Sequence, residues 1–154
     1  MSIGIIEKLD SDLKEALKRK DEMKVSVIRM LKASLKNKSI EKMGTLTDDD
    51  ILSVLSSMAK QRRESIEQFT LAGRTDLAEK EKKELEIVQS YLPRQLSLQE
   101  IEDIINSAIE ECNALSPSDI GKVMKIVAPK TKGVADGKFV SEKVKELLSK
   151  LSSK

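Results

Sequence analysis

Apolar residues recur at helical spacing almost from the start of the chain. Ile5, Ile6, Leu9, Leu13, Ala16 and Leu17 predict a helix from about Ile3 to Lys20. Val27, Ile28, Leu31 and Leu35 form the apolar stripe of a second, roughly Asp21 to Lys42, which Gly44 ends. Thr47 then reads as an N-cap, with Asp48, Asp49 and Asp50 placed to complement the dipole of a third helix. That helix continues to about Ala72 and is closed by Gly73. A fourth spans Asp76 to Tyr91 and stops before Pro93.

The stretch from Tyr91 to Ser97, YLPRQLS, is the clearest boundary. Pro93 disfavours helix at Leu92, and Ser97 with Glu100 makes a capping box for a fifth helix, stapled by Leu96 and Ile101. A sixth is expected from Ser116 as cap and Pro117 at the first position, running to Ala128 before Pro129. Asp136 caps the seventh, which carries Val140, Val144, Leu147, Leu148 and Leu151. The pattern predicts an all-α protein: a four-helix N-terminal subdomain, residues 1–93, and a three-helix C-terminal subdomain, residues 94–154. A unit of about 60 residues buries a modest fraction of its surface and is marginal alone.

Composition agrees with long helices. The 154 residues are 35% charged and 2% aromatic, so a core must be built from aliphatic side chains. Histidine is absent, which removes the commonest general base and metal ligand. Cys112 is the single cysteine, so neither an internal disulfide nor a cysteine zinc cluster can form. No run of 18 apolar residues and no secretory leader is present, and this predicts a soluble cytoplasmic protein with no membrane partner.

Charge is nearly balanced, at +2, but unevenly spread. Leu96 to Ser116 holds five acids and no base, whereas Pro117 to Lys154 holds nine lysines and four acids. Within the basic end, Gly133 to Lys138 reads GVADGK and invites comparison with a phosphate-binding loop. The comparison fails. A Walker loop needs four residues between its glycines, a hydroxyl after the lysine and a preceding strand. Here three residues intervene, Phe139 replaces the hydroxyl, and the preceding IGKVMKIVA has helical periodicity. Asp136 would also take the free amides at the helix start. What remains is a turn in which Gly133 and Gly137 supply unusual backbone angles and Asp136 caps a helix. Around it stand Lys122, Lys125, Lys130, Lys132 and Lys138. Charge alone reads as a solvated face; as a binding surface these lysines would meet phosphates and read no bases.

Arg29, Lys32 and Lys36 make a second basic stripe on one helix face, with the same two readings. Arg62 sits in the apolar seam of Leu52, Leu55, Ala59, Ile66 and Phe69, where it must snorkel or pair with a buried carboxylate. Cys112 and the serines have no base partner, and Asp48 to Asp50 read as helix capping rather than a cation site. No self-contained catalytic site, metal site or cofactor site emerges.

The segments VIRMLKASLKN, KQRRESIEQF, AGRTDLAEKE, YLPRQLS and IGKVMKIVAPKTKGVADGKFV together resemble the small bacterial YqeY-like proteins over nearly the whole chain. The C-terminal part is similar to the tail domain of the B subunit of glutamine-dependent aspartyl/glutamyl-tRNA amidotransferases. That resemblance implies an all-helical, two-part protein with a tRNA-contacting tail. The matching positions are Gly121, Lys122, Val123 and Met124, then Lys132, Gly133, Ala135, Asp136, Gly137 and Lys138. The family often has a basic residue where this chain has Val134, so part of the motif is structural. A carbon–nitrogen ligase label with glutamine as amido-N-donor would be inherited through the shared tail, without the catalytic modules. The resulting expectation is a non-catalytic tRNA- or RNA-interacting accessory protein. The alternative is a helical scaffold docking on an amidotransferase or an aminoacyl-tRNA synthetase, and an independent enzyme is the third reading.

Overall fold

The computed structural model describes residues 2–152, with side chains from residue 4 onward. The Ile3 side chain and Lys154, the last of the nine C-terminal lysines, lie outside the described residues. Among these residues the fold is all-helical, with no strand. Seven α-helices follow one another: α1 (Ser2–Lys18), α2 (Glu22–Lys42), α3 (Asp48–Leu71), α4 (Thr75–Gln89), α5 (Leu98–Cys112), α6 (Ile120–Thr131) and α7 (Gly137–Ser152). They gather into two compact units, one ending at Pro93 and the other beginning at Arg94.

In the first unit α1 packs on α2, and α2 packs on the α3–α4 hairpin. Leu9, Val27, Ile28, Leu31 and Leu55 are fully or almost fully buried in its core. Each such side chain contributes about 1.5–3 kcal/mol by leaving water. Helix ends follow local chemistry. Thr47 and Asp50 form a capping box at α3, and Gly73 turns the hairpin at φ +73°. At the end of α2 it is Met43, at φ +61°, rather than Gly44 that takes the left-handed position. The Tyr91 hydroxyl donates to the Asp12 carboxylate at 2.5 Å, clamping the chain after α4 against α1.

Arg62 of α3 is 8% exposed and Glu84 of α4 is 8% exposed. Their closest approach, Nε to Oε2, is 3.6 Å. The seam arginine therefore pairs with a carboxylate instead of snorkelling, and one Nη also donates to the Met30 sulphur at 3.6 Å.

In the second unit α5, α6 and α7 enclose Ile101, Ile105, Val123, Val127, Val140, Val144 and Leu148. Ser97 and Glu100 cap α5 reciprocally. The start of α6 differs from the sequence expectation. Ser116 makes no capping bond to the backbone, and Pro117–Asp119 form a separate 3₁₀ turn before α6. Asp119 instead accepts the Leu115 N–H at 2.9 Å. The end differs too: α6 passes through Pro129 to Thr131. A proline there forfeits only the N–H bond to the Lys125 carbonyl, on an exposed turn where water can replace it.

Candidate nucleic-acid surface

The turn after α6 is built from its backbone outward. The buried Thr131 hydroxyl donates to the Val127 carbonyl at 3.1 Å. The N–H groups of Val134 and Ala135 both donate back to the Thr131 carbonyl, each at 3.1 Å. Just before these two residues Gly133 takes φ +77°, a region costly to any residue with a Cβ. Asp136 then accepts the Lys138 N–H at 3.3 Å and caps α7. Gly137 needs no special angle: it is the first residue of α7, and a Cβ there would meet nothing within 4 Å. The same openness holds at Gly121. Gly133 and Asp136 shape this turn, whereas the conformational role expected of Gly137 is absent.

The strap leading into α5 holds the turn from outside. The Gln95 amide donates to the Gly133 carbonyl at 3.0 Å, and the Leu96 N–H donates to the Val134 carbonyl at 2.8 Å. Arg94 grips Glu100 with two bonds, 2.9 and 2.8 Å, which steadies the strap beside its cap. Arg94 first, and then the Ser97 N–H, hold the Glu100 carboxyl down at about 2, against 4.5 unperturbed. A carboxylate so depressed adds stability above its unfolded pKa and loses it as pH falls through the folded one. The α5 cap and strap are accordingly expected to loosen between pH 4.5 and about 2. An NMR titration should place the Glu100 carboxyl midpoint near the lower value, with the Gln95 amide signals moving in step. A midpoint near 4.5 would refute the Arg94 grip.

The lysines around the turn have separate settings. Lys122 and Lys125 stand one turn apart on the outer side of α6, and Lys122 lies 3.7 Å from Asp119. Lys130 is exposed in the last turn of α6, and Lys132 follows as its C-cap, also exposed. Lys138 is exposed at the start of α7. Both Lys130 and Lys132 complement the negative end of the α6 dipole.

The α2 stripe lies in the other unit and has a different character. Lys32 is 2.6 Å from Asp10 of α1, while Arg29 and Lys36 are exposed. All three border hollows between α1 and α2 with apolar floors. A third hollow, of about 480 Å³, lies over Ile5, Leu52 and Leu55 and reaches Tyr91. Burial first, then the bond to Asp12, keeps that phenol protonated well above its ordinary range. Among the described residues no group of three His, Cys, Asp or Glu side chains is arranged to hold a metal ion.

Residues 6–148 match the sequence model of the family described as Yqey-like protein. The chain belongs to that family. Its relatives include the fungal proteins called "Altered inheritance of mitochondria protein 41, mitochondrial". The Pyrenophora tritici-repentis protein is 32% identical, with 94% of this chain and 81% of that protein aligned. The Candida glabrata protein is 36% identical over 75% of this chain and 64% of its own length. For the Eremothecium gossypii protein the values are 41%, 54% and 46%. Against the last two, this YqeY-like chain spans less than two thirds of the relative.

These names correct the expectation of a bacterial, cytoplasmic protein, because the matched relatives are fungal and named as mitochondrial. The absence of an apolar leader could not have decided the matter: organelle-import segments are amphipathic, Arg- and Ser-rich, and escape a search for apolar runs. No helix among the described residues is long and apolar enough to cross a membrane. Sequence reasoning missed the Gln95 contact, the backbone bond that Leu96 makes to the turn, and the Tyr91–Asp12 clamp. Each acts across tens of residues through a single bond, which leaves no periodic trace.

Proposed function

We propose that this YqeY-like protein is a non-catalytic accessory factor that holds tRNA or another structured RNA by its phosphates. Its two units would act as an N-terminal four-helix module and a C-terminal three-helix module of the amidotransferase-tail kind. The supporting observation is the set of exposed lysines on α6 and the turn after it, Lys122, Lys125, Lys130 and Lys132, with Lys138 at the start of α7. Gln95 and Asp136 fix the turn between Lys132 and Lys138, and α6 carries the others, so the cations stand on a backbone that is already folded. Lysine ammonium groups are point charges suited to a phosphate path and not to base edges.

A titration of tRNA at two salt concentrations tests this. Each neutralised phosphate contributes about 0.7–0.9 to the slope of log affinity against log salt. Three contacts would weaken binding roughly 20- to 40-fold between 50 and 200 mM salt. Absence of saturable binding at low salt would end the proposal. Arg29, Lys32 and Lys36 have a less suitable setting for RNA, since they edge an apolar groove and Lys32 already meets Asp10.

A further inference from the structure

The helical spacing of α1 supplies more apolar positions than its own unit covers. Leu9 and Ala16 are buried, but Ile6 and Leu17 remain 41% and 49% exposed. Two open hollows lie along α1 and α2, the first also bordered by Thr45 and Leu46. The first, of about 630 Å³, is floored by Ile6, Leu9, Leu35 and Leu46. The second, of about 710 Å³, is lined by Leu17, Val25 and Met30. Ala33 lines both, so the two lie end to end along α2 as a shallow groove. A small residue at the junction leaves room for another backbone. From Ile6 to Leu17 the groove follows about three helical turns, or roughly 16 Å.

Its charge is one-sided. Lys20, Arg29, Lys32 and Lys36 edge it, against Glu22 alone within the lining; Asp10 stands behind Lys32. An apolar floor flanked by cations fits a ligand with an apolar face and acidic flanks. RNA would gain nothing from Ile6, Leu17 or Met30. We propose that this groove docks an acidic amphipathic helix of a partner protein, about three turns long. The partner's aliphatic residues at i, i+3 or i+4, i+7 and i+11 would follow the line from Leu17 past Ala33 to Ile6, and its carboxylates would face Arg29 and Lys36. Opposite charge sets register and suppresses basic competitors, while burial of the apolar stripe supplies most of the affinity.

A suitable probe is a fluorescent synthetic peptide copying residues 98–112 with Cys112→Ser, which carries five acids, no base and an aliphatic stripe. Fluorescence anisotropy against the full chain should show saturable binding. A scrambled peptide of the same composition, and one with lysine at the five acidic positions, should each bind at least about tenfold more weakly. Leu17→Gln, and separately the pair Arg29→Gln and Lys36→Gln, should each weaken the acidic peptide about tenfold while leaving helical circular dichroism and tRNA affinity unchanged. Equal binding of the scrambled peptide, or none of the acidic one, overturns the proposal. Loss of tRNA affinity in the Arg29/Lys36 variant, with the peptide unaffected, would make the groove an RNA surface. A concentration-dependent dimer abolished by Leu17→Gln, with no peptide binding, would assign it to a second copy.

Discussion

Replacing Glu84 with alanine is expected to destabilise the N-terminal unit by about 3–5 kcal/mol, an effect comparable to removing a large core side chain. The two side chains of the Arg62–Glu84 pair are 9% and 11% exposed, so each charge is largely cut off from water. Arg62 Nε has no hydrogen bond, and the nearest Glu84 oxygen is 3.6 Å away. Its other observed polar contact is the Met30 sulphur, a weak acceptor. Without Glu84 the guanidinium would stay largely buried with no carboxylate to balance it. The same poor hydrogen bonding implies a second result. Arg62→Leu combined with Glu84→Leu should restore stability to within about 1 kcal/mol of the parent, or exceed it. Urea denaturation followed by helical circular dichroism measures both. If Glu84→Ala costs less than about 1 kcal/mol, water reaches the guanidinium and the pair is not a buried one.

The pair also shows where sequence reasoning ends. That Arg62 interrupts an apolar seam is visible from spacing, because periodicity is local. Which carboxylate answers it is not, because Glu84 lies on the next helix and the choice is made by packing. The same division runs through the fold. Val27, Ile28, Leu31 and Leu35, and later Val140, Val144 and Leu148, are all buried at the spacing that marked them. The capping boxes at Thr47 and Ser97 form because each needs only four consecutive residues. The open edge of α1 was hidden by the same rule: Ile6 and Leu17 share the spacing of Leu9 and Ala16, yet lie outside the core. Periodicity says that a face is apolar, not what covers it. Pro129 shows the limit in another form. A proline ends a helix on average, but near the last turn it removes one bond, and Thr131 ties that turn with its hydroxyl.

In the candidate site, the glycine-and-lysine turn was legible as a turn and its lysines as candidate ligands. The backbone that gives them a fixed frame was not, since the Gln95–Gly133 bond joins residues 38 apart. This frame sharpens the functional test. Lys125, Lys130 and Lys132 are exposed, so Lys125→Glu, Lys130→Glu and Lys132→Glu together should change stability by little, apart from a small loss where carboxylates meet the negative end of α6. Thermal unfolding of the variant should therefore remain cooperative and near the parent's. Its affinity for tRNA should fall by at least about 100-fold at low salt, because three attractive contacts become three repulsions. The salt slope should flatten by roughly 2–3, the share of three phosphates. Reversing Lys143, which is held between Glu102 of α5 and Glu146, should instead impair the unit's stability while leaving the salt slope intact. If the triple variant binds tRNA as the parent does, the lysines are a solvated face, and the turn they surround is a structural joint between α6 and α7 alone.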